Sequence, residues 1–228
     1  MRYAFLGTLA ALTLTLAACD NEDRVAGGAG GTTTINGSLR VPAGEHTGSV
    51  GTVNGAVDID ENAVVGRVHT VNGSIDMAAH ATAESVKAVN GPVSLASGAH
   101  VTHNITTVNG SIELASGAEV GGAIKNVNGR MILTGAHVAG GLHTVSGDIE
   151  VGADSHVEGG ILVEDSGWFS DWFGHDTRKP RIVIGPGAVV SGALRFERDV
   201  NLYVSDKATI GEVTGATPVR FSGEKPPA

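Results

Sequence analysis

Two rows of polar side chains recur along the chain at spacings that could bind metal ions. The first row combines imidazole and carboxylate groups, which are ligands for transition metals: His100, Glu119, His137 and His156. The second row carries carboxylates that could bind calcium: Asp58, Asp76, Glu113 and Glu150. An outward row makes a convex surface on which few ligands converge. We therefore expect solvated polar rows without a metal or a cofactor.

The chain offers little of what catalysis requires. Enzymes that cleave polysaccharides on β-helices need paired carboxylates, or carboxylates with Lys or Arg, in one groove. The basic candidates stand in different repeats and columns: Arg67, Lys87, Lys125 and Arg130. We expect a protein that is not an enzyme, with a carbohydrate-active β-helix enzyme as the less favoured alternative.

A repeat must supply the elements that position these rows. The dipeptide Asn-Gly recurs in steps of 18, 18, 18, 19 and 19 residues, at Asn36, Asn54, Asn72, Asn90, Asn109 and Asn128. A fixed period near twenty residues indicates a unit that stacks on its neighbours. Asn-Gly suits a sharp corner because both residues tolerate positive φ, and Asn side chains in register can form a hydrogen-bonded ladder. We favour this structural ladder over a sugar-binding row.

Five further positions per repeat are apolar almost throughout, and we expect them to face the core. They lie 8, 4 and 1 residues before the Asn and 3 and 5 residues after it, as in Val101, Ile105, Val108, Ile112 and Leu114. Positions +3 and +5 alternate with a polar residue, which is typical of a β-strand. The residue that makes a repeat 19 rather than 18 long is predicted at the corner between columns +5 and −8.

These patterns predict an all-β fold, a single-stack β-solenoid of about nine coils with about three short strands in each. We expect a right-handed coil, because the strict six-residue step of left-handed solenoids is missing. At about 4.8 Å per coil the rod would be roughly 43 Å long. The predicted divisions are a signal peptide over 1–18, a flexible tether over 19–33, the solenoid over 34–215 and a tail over 216–228.

The N-terminal segment indicates the compartment. Arg2 precedes a short apolar run that ends in Leu-Ala-Ala-Cys at residues 16–19, as in a cleaved signal peptide. This ending resembles the lipobox of bacterial lipoproteins, with an ordinary secretory signal as the alternative. The resemblance implies that Cys19 becomes the acylated first residue, carrying fatty acids such as palmitate. The protein would then be anchored to the periplasmic face of the inner membrane or to the outer membrane.

A segment over residues 165–180 interrupts the repeat and replaces one Asn-Gly corner. It contains four aromatic side chains: Trp168, Phe169, Trp172 and Phe173. Two hypotheses stay open for it. The segment is either a plug folded over the side of the rod or an exposed knob that contacts a membrane surface or a partner protein.

Two resemblances bear on function. Residues 70–77 (TVNGSIDM) resemble the bacterial adhesin-like β-strand-repeat family, and residues 182–194 (IVIGPGAVVSGAL) are similar to the polymer-forming bactofilin repeat. They imply a right-handed β-solenoid without catalysis that serves adhesion or scaffolding. The net charge of −9 argues against a nucleic-acid partner. We expect a lipid-tethered rod that binds or spaces an envelope protein or polysaccharide, with a self-assembling scaffold as the alternative.

Overall fold

The computed structural model describes residues 24–26, 30–165 and 178–226. All described strands pair in parallel with strands of the neighbouring coils, and about ten turns form a β-solenoid. The predicted all-β, single-stack solenoid is therefore confirmed, with one turn more than the predicted nine. No helix in the described part of the chain is long and apolar enough to cross a bilayer.

The first face of the rod is one parallel sheet of eleven strands. In order along the rod they are β1 (Arg24–Val25), β3 (Leu39–Val41), β6 (Val57–Ile59), β8 (Ile75–Met77), β10 (Val93–Leu95), β13 (Ile112–Leu114), β16 (Met131–Leu133), β19 (Ile149–Val151), β22 (Arg181–Ile184), β25 (Asn201–Ser205) and β28 (Val219–Phe221). Side chains alternate along each strand. Ile112 and Leu114 are accordingly buried, whereas Glu113 between them is exposed.

The remaining strands form a second and a third face. The second face contains β4 (His46–Thr47), β11 (His100–Val101), β14 (Glu119–Val120), β17 (His137–Val138), β20 (His156–Val157), β23 (Val189–Val190) and β26 (Thr209–Ile210). The third face contains β2 (Thr32–Asn36), β5 (Val50–Asn54), β12 (Ile105–Asn109), β15 (Ile124–Asn128), β18 (Leu142–Thr144), β21 (Ile161–Val163), β24 (Leu194–Phe196) and β27 (Val213–Thr214). Two nine-residue strands, β7 (Val64–Asn72) and β9 (Thr82–Asn90), run through both faces.

The core consists of aliphatic seams that run along the rod. The +5 column is at most 2% exposed in seven successive coils, at Val41, Ile59, Met77, Leu95, Leu114, Leu133 and Val151. Each buried aliphatic side chain contributes about 1.5–3 kcal/mol. Because each seam residue packs mainly on its counterparts in adjacent coils, the stability of one coil depends on its neighbours.

The −1 column does not belong to this core, which corrects the prediction. Ile35 is 69% exposed, and Val53 and Val127 are 37% and 38% exposed. Residues at −4 and −2 face inward on the third face, as Ile105 and Thr107 do. The residue at −1 must then point outward, because side chains alternate along the strand.

The prediction that the −8 column faces the core is wrong in the first three repeats. Val64 pairs with Thr82, and Thr82 pairs with His100 rather than with Val101. The additional residue of the Asn109 repeat therefore lies at the corner between the second and third faces. The apolar pattern alone does not show which residues of adjacent strands pair at this corner. The apolar columns on its two sides could therefore be aligned in either of two registers.

The stack extends beyond the predicted limits of 34–215. Strand β1 pairs with β3, and Thr32 in β2 pairs with Val50, so parts of the predicted tether belong to the solenoid. At the other end, β28 pairs with β25. The residues after β28 turn back along the first face, where Lys225 lines a depression together with Arg130 and Glu150.

Candidate functional site

The six Asn side chains form one row at the edge of the third face. The Nδ2 group of each Asn donates a hydrogen bond of 2.9–3.1 Å to Oδ1 of the Asn in the preceding coil, in five successive bonds from Asn54 to Asn128. The Ser146 hydroxyl continues the row and donates to Asn128 Oδ1 at 2.8 Å. The amides thus satisfy one another along the rod and leave one N–H of each available to the outside.

The glycine after each Asn is required because the coils approach closely. A Cβ atom built on Gly91 would lie 2.6 Å from the carbonyl carbon of Gly73 and closer still to its oxygen. The same contact between successive glycines recurs at Gly55, Gly73, Gly110, Gly129 and Gly147. The Asn residues of the ladder do not adopt positive φ, contrary to the prediction. Three of the glycines, Gly37, Gly55 and Gly129, do have positive φ, at 102°, 156° and 142°. In the coils where φ is not positive, as at Gly91, close stacking explains the glycine.

A buried polar row at position −2 lies behind the ladder, and sequence reasoning missed it. It contains Thr52, Thr70, Thr107, Asn126 and Thr144. Thr52 and Thr70 donate hydrogen bonds of 3.1 Å to the carbonyls of Gly37 and Gly55 in the preceding coil. These bonds hold the inner wall of one coil to the glycine corner of the next. The recurrence of Thr or Asn two residues before the ladder was the available signal.

The outward side of the third face carries an aliphatic row beside a basic row. The aliphatic row is the −1 column: Ile35, Val53, Val71, Val89, Val108, Val127 and Val145. In the basic row, Lys87 pairs with Thr106 and Thr106 with Lys125, so the two lysines share a column instead of being scattered. A shallow depression of about 240 Å³ lies between the rows, near His143.

Partial burial and neighbouring charges perturb the ionisation of His143. Partial burial lowers the pKa of His143 below its usual 6.5, and the nearby Lys125 lowers it further, whereas Glu164 acts in the opposite direction. The structure thus favours the neutral form of His143.

An open groove of about 750 Å³ runs along the outward side of the first face. It is lined by three members of the predicted carboxylate row, Asp58, Asp76 and Glu113, together with Ser94. The fourth member, Glu150, lies outside the groove and forms an ion pair with Arg130. The carboxylates project from separate strands of one sheet, with Ser94 between Asp76 and Glu113, so they do not surround a common point.

The predicted imidazole and carboxylate row divides into two groups on the second face. His100 pairs in register with Glu119, Glu119 with His137, and His137 with His156. His100 Nδ1 lies 3.4 Å from Glu119 Oε2. His137 instead contacts His156, at 5.5 Å between ring centroids, and Glu158, whose Oε1 lies 2.9 Å from His137 Nε2.

Comparison with known proteins adds no functional information. A scan against protein-family models and searches of curated proteins and of solved structures found no match. The resemblances to adhesin-like and bactofilin repeats therefore stay predictions. Cys19 and the four aromatic residues from Trp168 to Phe173 lie outside the described residues.

Proposed function

We propose that this protein is a non-catalytic lipoprotein of the bacterial cell envelope. In this proposal Cys19 carries the lipid anchor, and the β-solenoid is a rod that binds an elongated envelope component. The outward aliphatic row of the third face carries the binding part of the proposal: three of its side chains are exposed and four are half-buried. Seven coils at about 4.8 Å each give this row a length of roughly 29 Å. An apolar row that solvent reaches along its length is the kind of surface that marks interaction sites.

The chemistry beside the row favours a polymer such as an envelope polysaccharide. The Asn ladder runs along one side of the row and offers one amide N–H per coil to an acceptor. Lys87 and Lys125 stand on the other side and would attract anionic groups. The aliphatic row and the Asn ladder repeat once per coil, and the two lysines stand two coils apart. This regular spacing matches a ligand that is itself repetitive.

Co-sedimentation with purified envelope fractions tests the binding surface. The triple variant Val71→Thr, Val89→Thr and Val108→Thr keeps β-branched side chains but makes the row polar. We expect it to lose most of the binding. The matched control replaces three outward aliphatic residues elsewhere on the rod, Ile132, Val183 and Val189, by Thr and should bind as the wild type does. Equal binding by both triple variants would contradict the assignment of this face.

Lipid attachment is tested separately in cells. Metabolic labelling with a fatty-acid analogue should mark the wild-type chain, and Cys19→Ser should abolish the label and release the chain from the membrane fraction. A labelled Cys19→Ser chain, or a wild-type chain without label, would contradict the lipoprotein assignment and leave the binding surface unaffected.

The alternative of an end-to-end scaffold is favoured by one observation. The most exposed large apolar side chains of the described residues lie at the two ends of the stack: Val25 at 70%, Ile35 at 69% and Val219 at 50%. Strands β1 and β28 are the edges of the first face, and open edges promote pairing between chains. Filaments of the lipid-free protein in negative-stain micrographs would support the scaffold, whereas a monomer at high concentration would support the binding module.

A further inference from the structure

We propose that His137, His156 and Glu158 form a binding site for a divalent transition-metal ion, with Zn²⁺ as the best-fitting ion. The site lies on the outward side of the second face. It does not depend on the proposed envelope function, since it uses another face of the rod.

The solenoid brings the three side chains together from two successive coils. His137 and His156 are register partners in the parallel strands β17 and β20. Glu158 stands two residues after His156, just beyond the end of β20, and its carboxylate contacts His137. Its backbone N–H donates to Val138 O at 2.9 Å, which holds it diagonally opposite His137.

The donor atoms are already close to a coordination geometry. All three ligand atoms lie within 4.8 Å of one another, and His137 Nε2 lies 2.9 Å from Glu158 Oε1. Ligands at about 2.0–2.1 Å from a tetrahedral zinc ion stand roughly 3.3 Å apart. The His156 ring therefore has to approach by about 1.5 Å at most. Rotation about side-chain bonds can provide this, because His156 is not buried and His137 and Glu158 are about half exposed.

The surroundings favour a cation. Glu119 pairs with His137 from the other side and adds a negative charge near the site. Two imidazoles and one carboxylate are a ligand set that zinc sites use, with the fourth position left to water.

The sequence argued against a metal on this row because few ligands converge on a convex surface. That reasoning holds when each coil contributes a single residue in register. Glu158, just beyond the end of β20, changes this because it reaches across to His137 in the adjacent coil. His100 shows the contrast. Thr102 stands two residues after His100, where Glu158 stands after His156, and the carboxylate that contacts His100 is that of Glu119. Because the site is exposed, we expect reversible binding with a dissociation constant in the micromolar range.

Isothermal titration of the full chain with Zn²⁺, without a polyhistidine tag, tests the proposal. All variants carry Cys19→Ser so that the thiol cannot contribute. We expect one ion per chain. His137→Ala and His156→Ala should each weaken binding by at least about tenfold, since even loss of an outer-shell partner costs 10–100-fold in affinity. Glu158→Gln should weaken it less, and His100→Ala should leave it unchanged.

Cobalt provides an independent readout of a defined site. Co²⁺ bound by these three side chains and water should give visible absorption that Zn²⁺ displaces and that is missing in His156→Ala. Far-UV circular dichroism checks that each variant keeps its β structure. If an alanine variant does not fold, Glu158→Gln replaces it in the comparison. Equal Zn²⁺ binding by the Cys19→Ser chain and by its His137→Ala or His156→Ala variant, or an equal loss in His100→Ala, would overturn the proposal.

Discussion

Replacement of Gly91 by Ala tests how closely the coils must approach. Gly91 follows the ladder residue Asn90, and its N–H donates to Asn109 O at 3.0 Å. The added methyl carbon would lie 2.6 Å from the carbonyl carbon of Gly73. Non-bonded carbon atoms settle at about 3.5–4.0 Å, so the two coils must separate by roughly 1 Å at this corner.

The surrounding hydrogen bonds determine the magnitude of the effect. Gly73 N–H donates to Asn90 O at 3.2 Å, and Asn90 Nδ2 donates to Asn72 Oδ1 at 3.0 Å. Overpacking costs about 1–3 kcal/mol, and each weakened hydrogen bond adds about 1 kcal/mol. We therefore expect Gly91→Ala to lower the free energy of unfolding by about 3–5 kcal/mol. For a chain of this length that corresponds to a fall in Tm of about 10 °C.

Thermal and urea unfolding followed by far-UV circular dichroism measure this loss. Gly30→Ala is the matched control, because a Cβ built on Gly30 meets no heavy atom within 4 Å. A surface substitution of this kind stays within about 0.5 kcal/mol, and the lower entropy of the unfolded chain can even stabilise it. If Gly91→Ala unfolded at the same midpoint as Gly30→Ala, close stacking would not be the reason for the recurring glycine.

Three further predictions address polar groups. Thr107 Oγ1 is buried without a partner among the described residues. Thr107→Val should therefore raise the free energy of unfolding by about 1 kcal/mol, whereas Thr70→Val should lower it by a similar amount. The opposite order of the two variants in urea titrations would contradict this. Asn109→Ala breaks two ladder bonds and Asn36→Ala breaks one. Asn36→Ala should lower the free energy of unfolding by roughly 1 kcal/mol, and Asn109→Ala should lower it by about twice as much. Equal unfolding midpoints of the two variants would argue against the ladder as a stabilising element. Burial and Lys125 lower the pKa of His143 below 6.5, so the unfolded chain takes up the proton first and stability falls as the pH drops below about 6.5. The difference in unfolding midpoint between pH 7.5 and pH 5.5 should therefore shrink in His143→Gln, and an unchanged difference would contradict the pKa argument.

The strand columns show where sequence reasoning succeeded. The +3 and +5 positions were predicted as inward because a single polar residue separates them, and Ile112 and Leu114 are buried as expected. The −1 position was misassigned because a β-branched residue satisfies strand propensity whether it faces the core or solvent. The sequence around Val108 does not show that Thr107, and not Val108, is the inward residue of β12.

The candidate metal site shows a similar division. The sequence identified His137 and His156 as members of one row, because their spacing matches the repeat. It did not identify Glu158, whose contact with His137 depends on the register of β17 against β20. A diagonal contact between adjacent coils has no fixed spacing in the sequence, so the repeat pattern could not reveal it.

The sequence alone determined that this chain stacks on itself, since a period of 18 or 19 residues with inward aliphatic positions can bury its apolar surface only against its own copies. Tertiary structure alone decided which of those aliphatic columns faces solvent and at which corner an additional residue is accommodated. The reason is that parallel hydrogen bonding fixes one register out of several that the apolar pattern permits. His100 therefore lies above Thr82, and the outward valines of the third face form the surface on which the proposed function depends.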